Sequence, residues 1–105
     1  MTVTEVRFSR TEGETADRFF LCCEGHATGN QDVCAAVSAI VFSLAGYLEN
    51  TDKRTRCVRI LEDGNSEILF DTTDQKAVGA WEAAVFGLMQ LEHSFGEYIR
   101  VEQIL

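Results

Sequence analysis

Proline is absent from the 105 residues, so no pyrrolidine ring breaks or kinks an element, and glycine, asparagine and aspartate are left to punctuate the chain. Basic residues are scarce: 9 Lys and Arg stand against 17 Asp and Glu, a formal net charge of −8. Nucleic-acid binders draw most of their affinity from basic side chains that displace counterions, so no direct nucleic-acid ligand is expected. The acidity suits solubility, or a basic partner such as a peptide. No stretch approaches the roughly 20 apolar residues that a membrane span needs, and the start, MTVTEVRFSR, alternates where an export leader would carry an apolar block. A cytoplasmic protein with no membrane partner is therefore expected.

Cysteine is present four times, as Cys22, Cys23, Cys34 and Cys57, yet no Cys-x-x-Cys pair occurs. A reducing cytosol keeps such thiols unpaired. Cys22 or Cys23 with His26, Cys34 and Cys57 would supply a four-coordinate zinc site, but adjacent Cys22 and Cys23 on a strand point to opposite faces and the spacing speaks against it. No metal and no cofactor is expected.

What is present is an ordinary globular composition, 46% hydrophobic and 25% charged. Repeats, linkers and low-complexity tracts are missing, so residues 1–105 read as one domain. Residues 2–9 alternate, with Thr4, Val6 and Phe8 on one face. Residues 17–24 do the same, with Phe19, Leu21 and Cys23 against Phe20 and Cys22, and Glu12, Gly13 and Glu14 between them suggest a hairpin. From about Asp32 to Asn50, Val33, Val37, Ile40, Val41, Leu44 and Leu48 recur at helical steps. Strands at about 56–62 and 66–71 follow, joined at Asp63, Gly64 and Asn65. A second helix runs from Asp74, a candidate N-cap, to about Ser94, with Val78, Trp81, Val85, Leu88 and Leu91 on its buried side. A strand over 98–103 closes the order ββαββαβ. The fold class is α+β, an antiparallel or mixed sheet with two helices packed on it.

Between the second strand and the first helix lies Gly25-His26-Ala27-Thr28-Gly29-Asn30-Gln31-Asp32-Val33-Cys34. His26 follows the strand and Cys34 falls in the first turn of the helix. Seven intervening residues reach roughly 25 Å when extended, so a reversal through Gly29 and Asn30 allows imidazole and thiol to meet. A thiol attacks carbonyls as its thiolate. Backbone N–H groups at a helix start and a neighbouring imidazolium both favour that anion. His26 would then hold the thiolate and protonate a leaving amine, while N–H groups of the loop or helix start bind an oxyanion. Asp32 either orients His26 or serves as an N-cap or first-turn charge. Ser38, four residues after Cys34, either orients substrate and the dyad or bonds back to the Cys34 carbonyl.

These two segments, Gly25-His26-Ala27 and Asp32-Val33-Cys34-Ala35-Ala36-Val37-Ser38, resemble the ribosomal-processing cysteine protease family, Prp, and the similarity spans nearly the whole chain. The resemblance implies a small homodimeric endopeptidase that removes a short N-terminal extension from a large-subunit ribosomal protein, with His26 and Cys34 as the catalytic pair. Two departures stand out. The segment between histidine and cysteine is several residues shorter than in the best-known members, and their Asp-Ile-Val-Cys stands here as Asp32-Val33-Cys34. The competing function is a non-catalytic ribosome-associated binding or regulatory module of the same fold.

Other conspicuous residues read as structural. Cys22, Cys23 and Cys57 suit strands or core, Trp81 suits the core, and His93 complements the dipole at the end of the second helix. Lys53, Arg54, Arg56 and Arg59 read as a solvated strand end, with ribosomal RNA contact as the second reading.

Overall fold

The computed structural model describes residues 3–25, 29–51, 56–62 and 64–104, apart from the side chains of residue 51 and of 56–62. The elements follow the expected order: β1 (Thr4–Thr11), β2 (Asp17–Glu24), α1 (Gln31–Thr51), β3 (Arg56–Glu62), β4 (Asn65–Thr72), α2 (Gln75–Phe95) and β5 (Ile99–Gln103). The five strands form one sheet in the order β3-β4-β2-β1-β5. All neighbours are antiparallel except β1 and β5, which run parallel with Val6 opposite Val101. The sheet is thus mixed and the fold α+β.

Period-2 alternation places Val6 and Phe8 of β1, Phe19, Leu21 and Cys23 of β2, and Ile68 and Phe70 of β4 on one buried face. Both helices lie over that face. Val33, Val37, Val41, Leu44 and Leu48 of α1 share a single core with Ala77, Val78, Trp81, Val85 and Leu88 of α2. Ile40 and Leu91, expected with the inward stripes, are half-buried at its margin. The Trp81 ring meets Phe8 and Phe19 edge-on, and its Nε1–H donates to the Phe20 carbonyl at 3.4 Å. That bond satisfies the indole's one polar group as the ring is buried.

The opposite face of the sheet meets solvent through charged residues. Arg7 reaches Glu5 at 3.1 Å and Glu24 at 3.5 Å, and Arg18 reaches Asp71 at 3.0 Å. Such exposed pairs each contribute about 0–1 kcal/mol. As expected, Asp74 caps α2, its carboxylate accepting from Lys76 N–H at 3.0 Å, and Gly96 closes the helix. Lys53 and Arg54, the side chains of Cys57, Val58, Arg59 and Ile60, and Asp63 lie outside the described residues.

One expectation needs correction. Residues 31–50 are long and apolar enough, by length and composition, to cross a membrane. The helix they form buries its valine and leucine stripe against the sheet, and its outer face is also apolar.

The centre of the core is Phe19, fully buried, stacked on Phe70 at 5.1 Å and edge-on to Trp81 at 5.1 Å. Phe19→Ala is expected to lower the unfolding free energy by about 3–5 kcal/mol in urea titration, against less than about 0.5 kcal/mol for exposed Glu14→Ala.

Candidate active site

The register brings several chain segments to one end of the sheet. The end of β2 (Glu24) lies between the starts of β1 (Glu5) and β4 (Asn65), and the start of β5 (Ile99) lies beside Thr4. Because β2 runs directly into the connection that starts α1, the first turn of α1 belongs to this end as well.

Gly25 is held from three sides. Its N–H donates to the Gly64 carbonyl at 2.8 Å, its carbonyl accepts from the Thr4 hydroxyl at 3.4 Å, and a Cβ here would stand 3.0 Å from the Val3 carbonyl oxygen. Its φ of +83° is one that side chains rarely adopt. Gly29, on the far side of the His26 segment, has φ +92°, and a Cβ on it would lie 3.7 Å from Cε1 of Tyr98. A positive φ of this kind is what a turn at this glycine requires. His26 itself lies outside the described residues.

Tyr98 was not among the sequence candidates. It is half-buried between α2 and β5, its N–H bonded to Phe95 O at 2.8 Å and its carbonyl accepting from Thr4 N–H at 2.9 Å. Its ring lies near Gly29. Nothing in its local sequence marks this role, because the contact joins residues far apart along the chain.

The start of α1 is capped by Asn30. Its Oδ1 accepts from Asp32 N–H at 3.1 Å and from Val33 N–H at 3.2 Å. This decides between the structural readings of Asp32: the aspartate is not the N-cap but an exposed first-turn carboxylate, where its charge favours the positive end of the helix. It also narrows the expected set of oxyanion donors. The Asp32 and Val33 N–H groups are already taken by the cap.

Cys34 is the fourth residue of α1, half-buried, between the fully buried Val33 and the inward Val37. Ser38 lies one turn further along the same helix and is exposed.

The other described thiols lie in unlike settings. Cys22, Cys23 and Cys34 are thiols and not halves of a disulfide. Cys23 sits in the core, where burial pushes it up to about 12. Cys22 points to the opposite face. Burial, then the Glu24 and Glu67 carboxylates, push it up to about 11, against a smaller lowering by Arg7. Facing apart, the two cannot share a metal ion, and among the described residues no three His, Cys, Asp or Glu side chains gather at a metal-binding spacing.

A half-buried cysteine in the first turn of a helix capped by Asn30 is an arrangement suited to a reactive thiol. Comparison with known proteins names the family. The family model of the cysteine protease Prp matches residues 3–100, and the chain belongs to that family. Among solved structures, the ribosomal processing protease Prp of S. aureus with a covalently linked product peptide superposes with a TM-score of 0.79 at 20% identity, covering 97% of this chain and 100% of the other. SMU.848 of Streptococcus mutans superposes with a TM-score of 0.73 at 23% identity and 98% coverage of both chains. The S. aureus protease with a substrate peptide gives 0.71 at 18% identity, covering 97% and 100%. No curated protein matches the chain significantly.

The environments of the thiols set an order of reactivity. At pH 7.5, iodoacetamide is expected to modify Cys34 at least about tenfold faster than Cys22 or Cys23, because raised thiol pKa values leave those two almost wholly protonated. Peptide mapping by mass spectrometry reads the order, and equal rates at the three sites would contradict it.

Proposed function

We propose that this chain is a cysteine endopeptidase that removes a short N-terminal extension from a large-subunit ribosomal protein, acting in the cytoplasm as a homodimer. Cys34 is the nucleophile and His26 its acid/base partner. The observation that carries the reading is the position of Cys34, half-buried in the first turn of a helix capped by Asn30, in a chain of the Prp family. That a related fold has been solved with substrate and product peptides supports a peptide as the ligand.

The chemistry follows from the pair. The Cys34 thiolate adds to the scissile carbonyl, and the oxyanion that forms is met by N–H groups of the connection or the helix start. Collapse of the tetrahedral species breaks the C–N bond as His26 gives its proton to the departing amine. A thioester of the N-terminal fragment remains on Cys34. His26, now neutral, takes a proton from water, the hydroxide equivalent adds to the thioester, and the fragment leaves as a carboxylic acid while the thiolate is restored.

Ser38 and Asp32 support the pair in different ways. The Ser38 hydroxyl, one turn from the sulfur, orients the substrate. Asp32, displaced from capping, lies close enough in sequence to meet the imidazole of His26. No cofactor enters the reaction.

Cys34→Ala and His26→Ala are each expected to lower kcat/KM on the organism's own ribosomal precursor by at least about 10³-fold, with the circular dichroism spectrum unchanged. Cleavage retained by purified Cys34→Ala would overturn the proposal. Cleavage absent from the wild-type protein would favour a non-catalytic module of the same fold.

A further inference from the structure

Gly29 immediately precedes the capping residue Asn30 and has φ +92°. A glycine passes between left- and right-handed backbone at little cost, so nothing in Gly29 itself holds it there; a neighbour must. On the side where a side chain would stand, chain neighbours aside, the only heavy atom of the described residues within 4 Å is Cε1 of Tyr98, at 3.7 Å from the Cβ position. The gap between the glycine and the ring edge is too narrow for a water molecule, so the two surfaces face each other directly.

Tyr98 is anchored independently of Gly29. Its N–H donates to the Phe95 carbonyl at 2.8 Å, and its carbonyl accepts from Thr4 N–H at 2.9 Å. The next residue, Ile99, is fully buried. Beyond it β5 is tied to α2 by Glu92, whose carboxylate accepts from Val101 N–H at 2.7 Å. The side chain of Tyr98 packs half-buried against the core. Its place is thus set by α2, β1 and β5. Thr4, the residue bonded to it, also reaches the Gly25 carbonyl through its hydroxyl at 3.4 Å. Gly25 and Gly29, which bound the His26 segment in sequence, therefore each meet one of two residues that are bonded to each other.

We propose that Tyr98 is a positioning residue: its ring holds Gly29 in the left-handed conformation that aims Asn30 at the start of α1, and so sets where Cys34 stands. The path from ring to thiol is short. Asn30 follows Gly29, its Oδ1 accepts from Asp32 and Val33 N–H at 3.1 and 3.2 Å, and Cys34 is the fourth residue of the helix that this cap begins. A glycine released from φ +92° turns Asn30 away from those N–H groups, and the first turn that carries Cys34 loses its cap. The kinetic consequence rests on the reading of Cys34 as the nucleophile; the structural one does not.

Two trimming variants of the full chain test this, and thermal unfolding by circular dichroism verifies that each folds. Tyr98→Leu keeps apolar packing at the core margin but ends at its δ carbons, one bond short of Cε1, and Tyr98→Ala removes both. In either, amide exchange of Asp32 and Val33, followed by NMR, is expected to quicken at least about fivefold. On a peptide spanning the N-terminus of the ribosomal precursor, kcat is expected to fall at least about fivefold with KM held within about twofold. Tyr98→Phe, which keeps the ring edge, is expected to match the wild type within about twofold in all three readings. Leu91→Ala, which trims the same core margin at a position Gly29 does not face, is expected to lower the melting temperature and leave all three within about twofold. Adding Tyr98→Leu to Asn30→Ala is expected to cost no more than about twofold in kcat beyond Asn30→Ala alone, because both act through one cap. Unchanged exchange at Asp32 and Val33 in a folded Tyr98→Leu or Tyr98→Ala overturns the proposal, whether or not the protein cleaves the peptide. Losses that multiply in the double variant also overturn it, and a raised KM in Tyr98→Phe overturns it in favour of a hydroxyl that touches the substrate.

Discussion

Two hydrogen bonds to the side-chain oxygen of Asn30 fix where the first helix begins, and the site depends on that point. With Asp32 and Val33 N–H groups held at 3.1 and 3.2 Å, Val33 is committed to the core and Cys34 follows it onto the rim. A cap of this kind contributes about 1 kcal/mol, small beside the core but local to the residue that matters. Moving the start by one residue would rotate every later side chain by about 100° and carry the thiol away from this end of the sheet.

The cap works because the chain leading to it is anchored too. Gly25 is tied to Gly64 and Thr4, and a Cβ on Gly29 would meet the Tyr98 ring. Tyr98 in turn is held by Phe95 and Thr4 at the start of β5, the strand that joins β1 in parallel. The starts of β1 and β5 and the turn before β4 therefore meet at the end of β2, where the connection to α1 begins. Three described cysteines illustrate the same dependence on place: one is sealed in hydrocarbon, one lies under carboxylates, and one stands at a helix start.

Much of this was legible in the chain. Alternation in β1, β2 and β4, the helical stripes, the Asp74 cap and the order of elements follow from side-chain periodicity and turn chemistry, which are local properties. The helix-start residue was less legible because Asn30, Gln31 and Asp32 are consecutive polar residues. Which oxygen turns back onto the N–H groups depends on the backbone angle fixed by Gly29. Parallel pairing of β5 with β1, the placement of both helices on one face, and the role of Tyr98 all depend on contacts between distant residues and left no periodic trace. The apolar outer face of α1 is also hard to read, since charge-free stretches in a core helix and in a membrane span have similar composition.

The central claim is that the capped start of α1 presents Cys34 as the attacking nucleophile. The most direct measurement mixes the protein with a peptide spanning the N-terminus of the ribosomal precursor, quenches in acid within the first turnover, and locates any adduct by peptide mapping. The account predicts a thioester of the N-terminal fragment on Cys34. Cleavage without an adduct on Cys34, or with one on Cys22, Cys23 or Cys57, would contradict it.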